Sequence, residues 1–157
     1  MNLLATGGRT VHPEWIDYIG HMMDAYYFVA FTEATEALLD HLGLGERYRA
    51  DSNCGMYTVE SHLCFSRSVR AGTVLRYDSQ LLGCDQKRLH VFHRMSQSPG
   101  GDVVATSELM FLHVNIVSER VTPMPPERWQ AASRLAAAHA ALATPANAGR
   151  RVQLRRP

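Results

Sequence analysis

One amphipathic helix followed by four long strand patterns on short turns leaves this chain few folds to choose from. Over residues 24–42, Tyr27, Phe31, Ala34, Leu38 and Leu42 recur at three- and four-residue spacing. That spacing puts them on one apolar stripe of an α-helix, with Glu33, Glu36 and Asp40 away from it. Asp24 is expected as the N-cap, because a short acidic side chain there accepts from the free N–H groups of the first turn. Gly43 and Gly45 stop the helix, and the polar, non-periodic residues 46–55 are expected as an irregular loop. From residue 57 the pattern changes to strands over 57–69, 73–82, 88–97 and 103–117, separated by glycine-containing turns at 70–72, 83–86 and 98–102. Connections this short allow antiparallel neighbours and no crossover helix. The expected class is therefore α+β, not alternating α/β. Strands of this length bury their apolar surface only if the sheet curls around the one apolar helix.

The 157 residues, 46% of them hydrophobic, fit one domain. Its core is expected to end near residue 126, after the prolines at 123, 125 and 126. An alanine-rich helix is expected within 127–144, and 145–157, with Arg150, Arg151, Arg155 and Arg156, is expected as a flexible basic tail. A net charge of +1 gives no reason to expect nucleic-acid binding. No run approaches the ~20 apolar residues of a membrane span, and the first residues lack the charged and apolar regions of a secretory leader, so a cytoplasmic protein away from membranes is expected. Cys54, Cys64 and Cys84 are an odd number without metal-type spacing and are expected as reduced, non-ligating thiols.

The chemistry concentrates just ahead of the helix. A short extended segment is expected to end at Asp17, a tight turn follows at Tyr18-Ile19-Gly20-His21, and the helix begins. This sets an acid and an imidazole beside a helix N-terminus, where unpaired N–H groups and the positive end of the dipole can hold developing negative charge. Together with nearby aromatic residues, such a group suits acyl chemistry on a carbonyl. The plainer role for Asp17 is to cap the turn that follows it. His90 and His93 lie three apart on a strand and so point to opposite faces; no convergent ligand set is visible, and no metal is expected. No glycine-rich phosphate loop occurs.

The run Asp17-Tyr18-Ile19-Gly20-His21-Met22-Met23-Asp24-Ala25-Tyr26-Tyr27 resembles the motif Asp-x-x-Gly-His-hydrophobic-Asn-Asn-x-x-Tyr of hotdog-fold acyl-CoA thioesterases of the 4-hydroxybenzoyl-CoA thioesterase type. Asp17, Gly20, His21 and Tyr27 match, and Met23 and Asp24 stand in place of the two asparagines. The segments PEWIDYIGHM, DAYY, YTVESH (57–62), DQKRLHVFH (85–93) and PMPPE (123–127) are similar to the branch of that family that acts on betainyl-CoA in bacterial carnitine breakdown. The resemblance implies a hotdog domain over 1–126, with a long central helix wrapped by a curved antiparallel sheet, that hydrolyses an acyl-CoA without a cofactor. It implies Asp17, His21 and Asp24 as catalytic candidates, with Asp17 either activating water or attacking the thioester. Trp15, Tyr18, Tyr26, Tyr27 and Phe65 become candidate walls for a trimethylammonium acyl group, with Glu60 and His62 beside them. Arg67, Arg70, Lys87 and Arg88 become candidates for CoA phosphates. It further implies a homodimer or homotetramer with sites built from two chains. Two alternatives stay open: a thioesterase for aryl or short neutral acyl-CoA, and a non-catalytic acyl-CoA-binding module, for which the loss of both asparagines is the support.

Overall fold

A computed structural model describes residues 2–154. Arg155 and Arg156 of the expected tail lie outside the described residues. In chain order the elements are β1 (Leu4–Thr10), a 3-10 turn (Pro13–Trp15), α1 (Asp24–His41), α2 (Glu46–Ser52), β2 (Cys54–Phe65), β3 (Val74–Cys84), β4 (Arg88–Ser98), β5 (Val103–Asn115), the short β6 (Arg120–Val121) and α3 (Pro126–His139). The sheet runs β1-β3-β4-β5-β2, with β6 added to β5, and every pairing is antiparallel. Register shifts fall in β1, β2, β3 and β4; such bulges add local twist and bend and so help a sheet to curl.

The concave face of the sheet closes on α1. Tyr27, Phe31 and Ala34 bury against Leu75, Tyr77, Met95 and Ala105. Leu38 and Leu42 bury against Leu81, Leu89 and Phe111. A polar thread crosses this core. Thr6 Oγ1 and Ser79 Oγ lie 2.9 Å apart, Ser79 Oγ and His93 Nδ1 2.6 Å, and His93 Nε2 and Thr35 Oγ1 3.1 Å, so α1 is hydrogen-bonded through one imidazole to β3 and β4. His90, on the outer face, instead meets Glu108 at 2.7 Å, as the alternation of a strand requires.

Several expectations need correction. Residues 46–52 form α2 and not a loop. Tyr48 donates its hydroxyl proton to His113 Nε2 (2.9 Å), whose Nδ1–H donates to the Thr122 carbonyl (2.7 Å), and Asn53 ends the turn in the left-handed region at φ 54°. A contact 65 residues away holds a helix too short to persist alone. The extended segment thought to reach Asp17 stops at Thr10; beyond the 3-10 turn, only an isolated bridge from Ile16 to Met22 remains. The strand expected over 57–69 is β2, shifted to begin at Cys54 and end at Phe65. It ends there because the N–H groups of Ser66 and Arg67 both donate to the Val104 carbonyl.

The C-terminal part covers what the sheet leaves open. β1 pairs with β3 only as far as Ser79, and the next free edge N–H, that of Leu81, donates to His139 Nδ1 on α3 at 2.9 Å. The following segment lies along the outer face. Gln80 Nε2 donates to the Ala143 carbonyl (3.4 Å), Asn147 Nδ2 to Thr106 Oγ1 (3.5 Å) and Gly149 N–H to Glu108 Oε2 (2.8 Å).

Candidate active site

Asp17 sits in a hairpin-like loop pinned from three directions. Its N–H donates to the His21 carbonyl (2.9 Å) and its carbonyl accepts from Gly20 (3.0 Å), while Met22 N–H donates to Val69 O (2.8 Å) and Met23 N–H to Trp15 O (2.9 Å). Gly20 holds φ +85°, which side chains other than glycine rarely adopt. The carboxylate takes part in the same turn: Oδ1 accepts from the N–H groups of Ile19 (2.8 Å) and His21 (3.2 Å). The turn-capping role is therefore real, and it uses one oxygen. Oδ2 has no partner among the described residues.

That loop delivers the chain into α1, whose N-cap is Met23, without a side-chain cap bond. Asp24 is the first helical residue, not the cap. Tyr26 N–H returns to the Met23 carbonyl (3.0 Å), but the N–H groups of Asp24 and Ala25 have no partner among the described residues, as the geometry of a helix start dictates. Asp17, His21, Met22, Asp24 and Tyr27 then line one open cleft of about 330 Å³ with Phe65, Ser66, Arg67 and Ser68. Tyr27 is buried, and its ring meets Phe65 edge-on at 5.1 Å. Burial raises the Tyr27 phenol above its ordinary pKa; a backbone hydrogen bond at Val69 opposes this, and the charge of Asp24 adds to it. The phenol therefore stays protonated, and its hydroxyl donates to the Arg67 carbonyl (3.4 Å).

The structure brings together some of the expected residues and separates others. Asp17, His21, Asp24, Tyr27, Phe65 and Arg67 share the cleft. His21 reaches Asp17 through its backbone N–H, and its imidazole makes no hydrogen bond among the described residues. Trp15 is buried, stacked on Tyr26 at 5.1 Å, with the Arg9 guanidinium 4.8 Å over its ring. Neither Trp15 nor Tyr26 lines the cleft, and Tyr18 is 97% exposed at the tip of the turn. Glu60 and His62 lie on the outer face of the sheet, in a separate hollow with His90 and Glu108.

The expected cations also divide. Arg67 lines the cleft and meets Asp102 at 3.4 Å, and Arg70 is exposed next to Val69. Lys87 and Arg88 stand at the other end of the sheet: the Lys87 carbonyl accepts from His113, which pairs with Met56 near the start of β2, and Arg88 is paired with Asp85 at 2.6 Å. β2 spans roughly 35 Å at ordinary strand rise, so within one chain Lys87 and Arg88 do not belong to this cleft. Ser66 and Ser68 belong to it although their sequence offers no sign of it, since the pattern through them reads as continued strand. Among the described residues no group of three or more His, Cys, Asp or Glu could hold a metal ion, and the three cysteines are free.

A carboxylate with one spare oxygen and an aromatic wall on one cleft, beside a helix start with free N–H groups, suit attack on a polarised carbonyl. Comparison with known proteins agrees with this chemistry. Residues 11–142 match the thioesterase-like superfamily. The betainyl-CoA thioesterase of Pseudomonas aeruginosa is 40% identical over 152 residues, covering 97% of this chain and 96% of that one. The L-carnitine dehydrogenase/betainyl-CoA thioesterase of Rhizobium meliloti is 36% identical over 93% of this chain and 29% of its own length. Among solved structures, protein SAV2348 of Staphylococcus aureus in complex with CoA superposes with a TM-score of 0.89 over 99% of this chain and 98% of that one; at 23% identity the likeness is one of fold. Fold, motif and near full-length identity coincide, and the chain belongs to the thioesterase-like superfamily, with the hotdog fold.

Proposed function

We propose that the enzyme hydrolyses a short, trimethylammonium-bearing acyl-CoA, betainyl-CoA, to the free acid and CoA in carnitine breakdown. The observation that carries the reading is that Asp17, with one carboxylate oxygen unpartnered among the described residues, and Asp24, the first residue of a helix whose leading N–H groups are free, line one cleft. The substrate class is taken from the similar Pseudomonas aeruginosa and Rhizobium meliloti enzymes. Asp17 Oδ1 is held by two N–H donors, and Oδ2 removes a proton from water as that water attacks the thioester carbonyl. The carbonyl oxygen, becoming an oxyanion, is met by the two free N–H groups at the helix start. The tetrahedral intermediate collapses with loss of the CoA thiolate, which takes the proton back as thiol, either from Asp17 or through water. His21 orients the attacking water. Arg67 and Arg70 lie on the side where the phosphates of CoA leave the cleft.

We place the catalytic unit in a two-fold dimer formed through β2. This strand is the bare edge of the sheet beyond β5. It exposes Tyr57 and Val59, at 46% and 53%, and α1 exposes Phe28 and Val29. Such an edge is covered when a second copy adds its own strand. Two-fold pairing is antiparallel, which sets the start of one β2 against the end of the other, so Lys87 and Arg88 reach a cleft only from the neighbouring protomer. No described helix is long and apolar enough to cross a membrane, and an acyl-CoA substrate suits a cytoplasmic enzyme. The test is release of CoA thiol from a panel of acyl-CoAs by wild type and Asp17→Asn. Turnover of betainyl-CoA ahead of benzoyl- and long-chain acyl-CoA, lost in the variant by roughly 10²- to 10⁴-fold, is expected. Equal turnover by the variant removes Asp17 from the mechanism.

A further inference from the structure

The cleft contains a carboxylate that the fold does not use. Asp24 caps nothing, because the N-cap is Met23. Its side chain accepts no hydrogen bond and meets no cation within ion-pair distance among the described residues, and it is exposed to the opening that Asp17, Tyr27 and Phe65 share. Arg67, which lines that opening, is engaged by Asp102 at 3.4 Å. Phe65 is 49% exposed and stands edge-on to Tyr27, so aromatic surface borders the same space. An unpaired carboxylate beside aromatic walls is costly next to a neutral acyl chain, which strips water from it and offers nothing in return. The same arrangement attracts a cation that cannot donate hydrogen bonds, since the attraction to ring faces and to a nearby negative charge requires no donor.

We infer that Asp24 is the residue that selects acyl groups ending in a quaternary ammonium. Its side chain acts on the acyl end, whereas its backbone N–H serves the oxyanion. This role rests on the thioesterase reading above. A carboxylate in the first turn also interacts favourably with the helix dipole. That role alone alters stability and leaves substrate preference as it was, so preference is the quantity that separates the two.

The experiment compares kcat/KM for betainyl-CoA with that for 3,3-dimethylbutyryl-CoA, in which carbon replaces the quaternary nitrogen and shape is kept. Wild type is expected to prefer the cationic substrate by about tenfold or more, the scale of a charge pair and aromatic contacts in a partly desolvated cleft. Asp24→Asn is expected to lower the ratio about tenfold, Asp24→Ser to do the same with a good helix-start residue in place, and Asp24→Glu to keep the preference. A ratio unchanged in Asn and Ser variants whose circular dichroism matches wild type overturns the assignment. A wild-type ratio near one overturns it together with the cationic substrate. No thiol release by wild type from either compound overturns the thioesterase reading itself.

Discussion

Acid destabilisation of this protein is expected to run largely through His93. The ring is wholly buried, bonded to Ser79 on one side and Thr35 on the other, and lies against Phe31 at 6.1 Å. Burial lowers its pKa from 6.5 to about 3. The unfolded chain takes up this proton near pH 6.5 and the folded chain does not. The His93 contribution is therefore complete above pH 6.5 and falls as pH drops from there toward 3, by about 1.4 kcal/mol per pH unit. Between pH 7 and pH 5 the loss is ~2 kcal/mol, a large share of an ordinary folding free energy of ~5–15 kcal/mol. Urea unfolding of wild type and His93→Gln at the two pH values, followed by tryptophan fluorescence, isolates it. His139, whose pKa burial also lowers, with His41 nearby adding to the effect, acts in the same direction in both proteins and cancels in the comparison. Wild type is expected to lose ~2 kcal/mol more than the variant over this interval, with unchanged denaturant slopes. Equal losses refute the claim that a neutral, buried imidazole sets the acid limit.

Three further outcomes follow from the site and the bare edge. Ala25→Pro removes one oxyanion donor in the first helical turn, where proline fits; kcat is expected to fall by the equivalent of ~3 kcal/mol with little loss of helix, and an unchanged kcat moves the oxyanion elsewhere. In ¹⁸O-water, one enzyme turnover is expected to place the label in the released acid, because water attacks the carbonyl; label absent from the acid assigns Asp17 as nucleophile instead. Tyr57→Lys together with Val59→Glu is expected to halve the mass seen by sedimentation and to reduce thiol release, and a native mass refutes pairing through β2.

Much of the fold is legible because it is written in local periods. The stripe from Tyr27 to Leu42 names the buried face of α1, and three strand patterns lie within a few residues of β3, β4 and β5. Asp17 and the turn behind it are legible for the same reason, since their spacing is a property of eight consecutive residues. What the sequence leaves unread has a different origin. α2 is held by His113, Trp15 is packed between Arg9 and Tyr26, and Lys87 and Arg88 stand at the end of the sheet away from the cleft of their own chain. Each of these depends on which distant residue arrives beside it.

The linear order of residues thus determined the class of fold, the central helix and the acid that precedes it, because hydrophobic period and turn chemistry act between near neighbours. Tertiary structure alone decided which aromatic rings reach the acid, that Asp24 is left unpaired, that Ser66 and Ser68 join the cleft, and that His93 bridges α1 to the sheet from within. Those outcomes depend on strand register and on the closing of a curved sheet over a helix, and contacts made across some 58 residues leave no spacing in the sequence by which to read them.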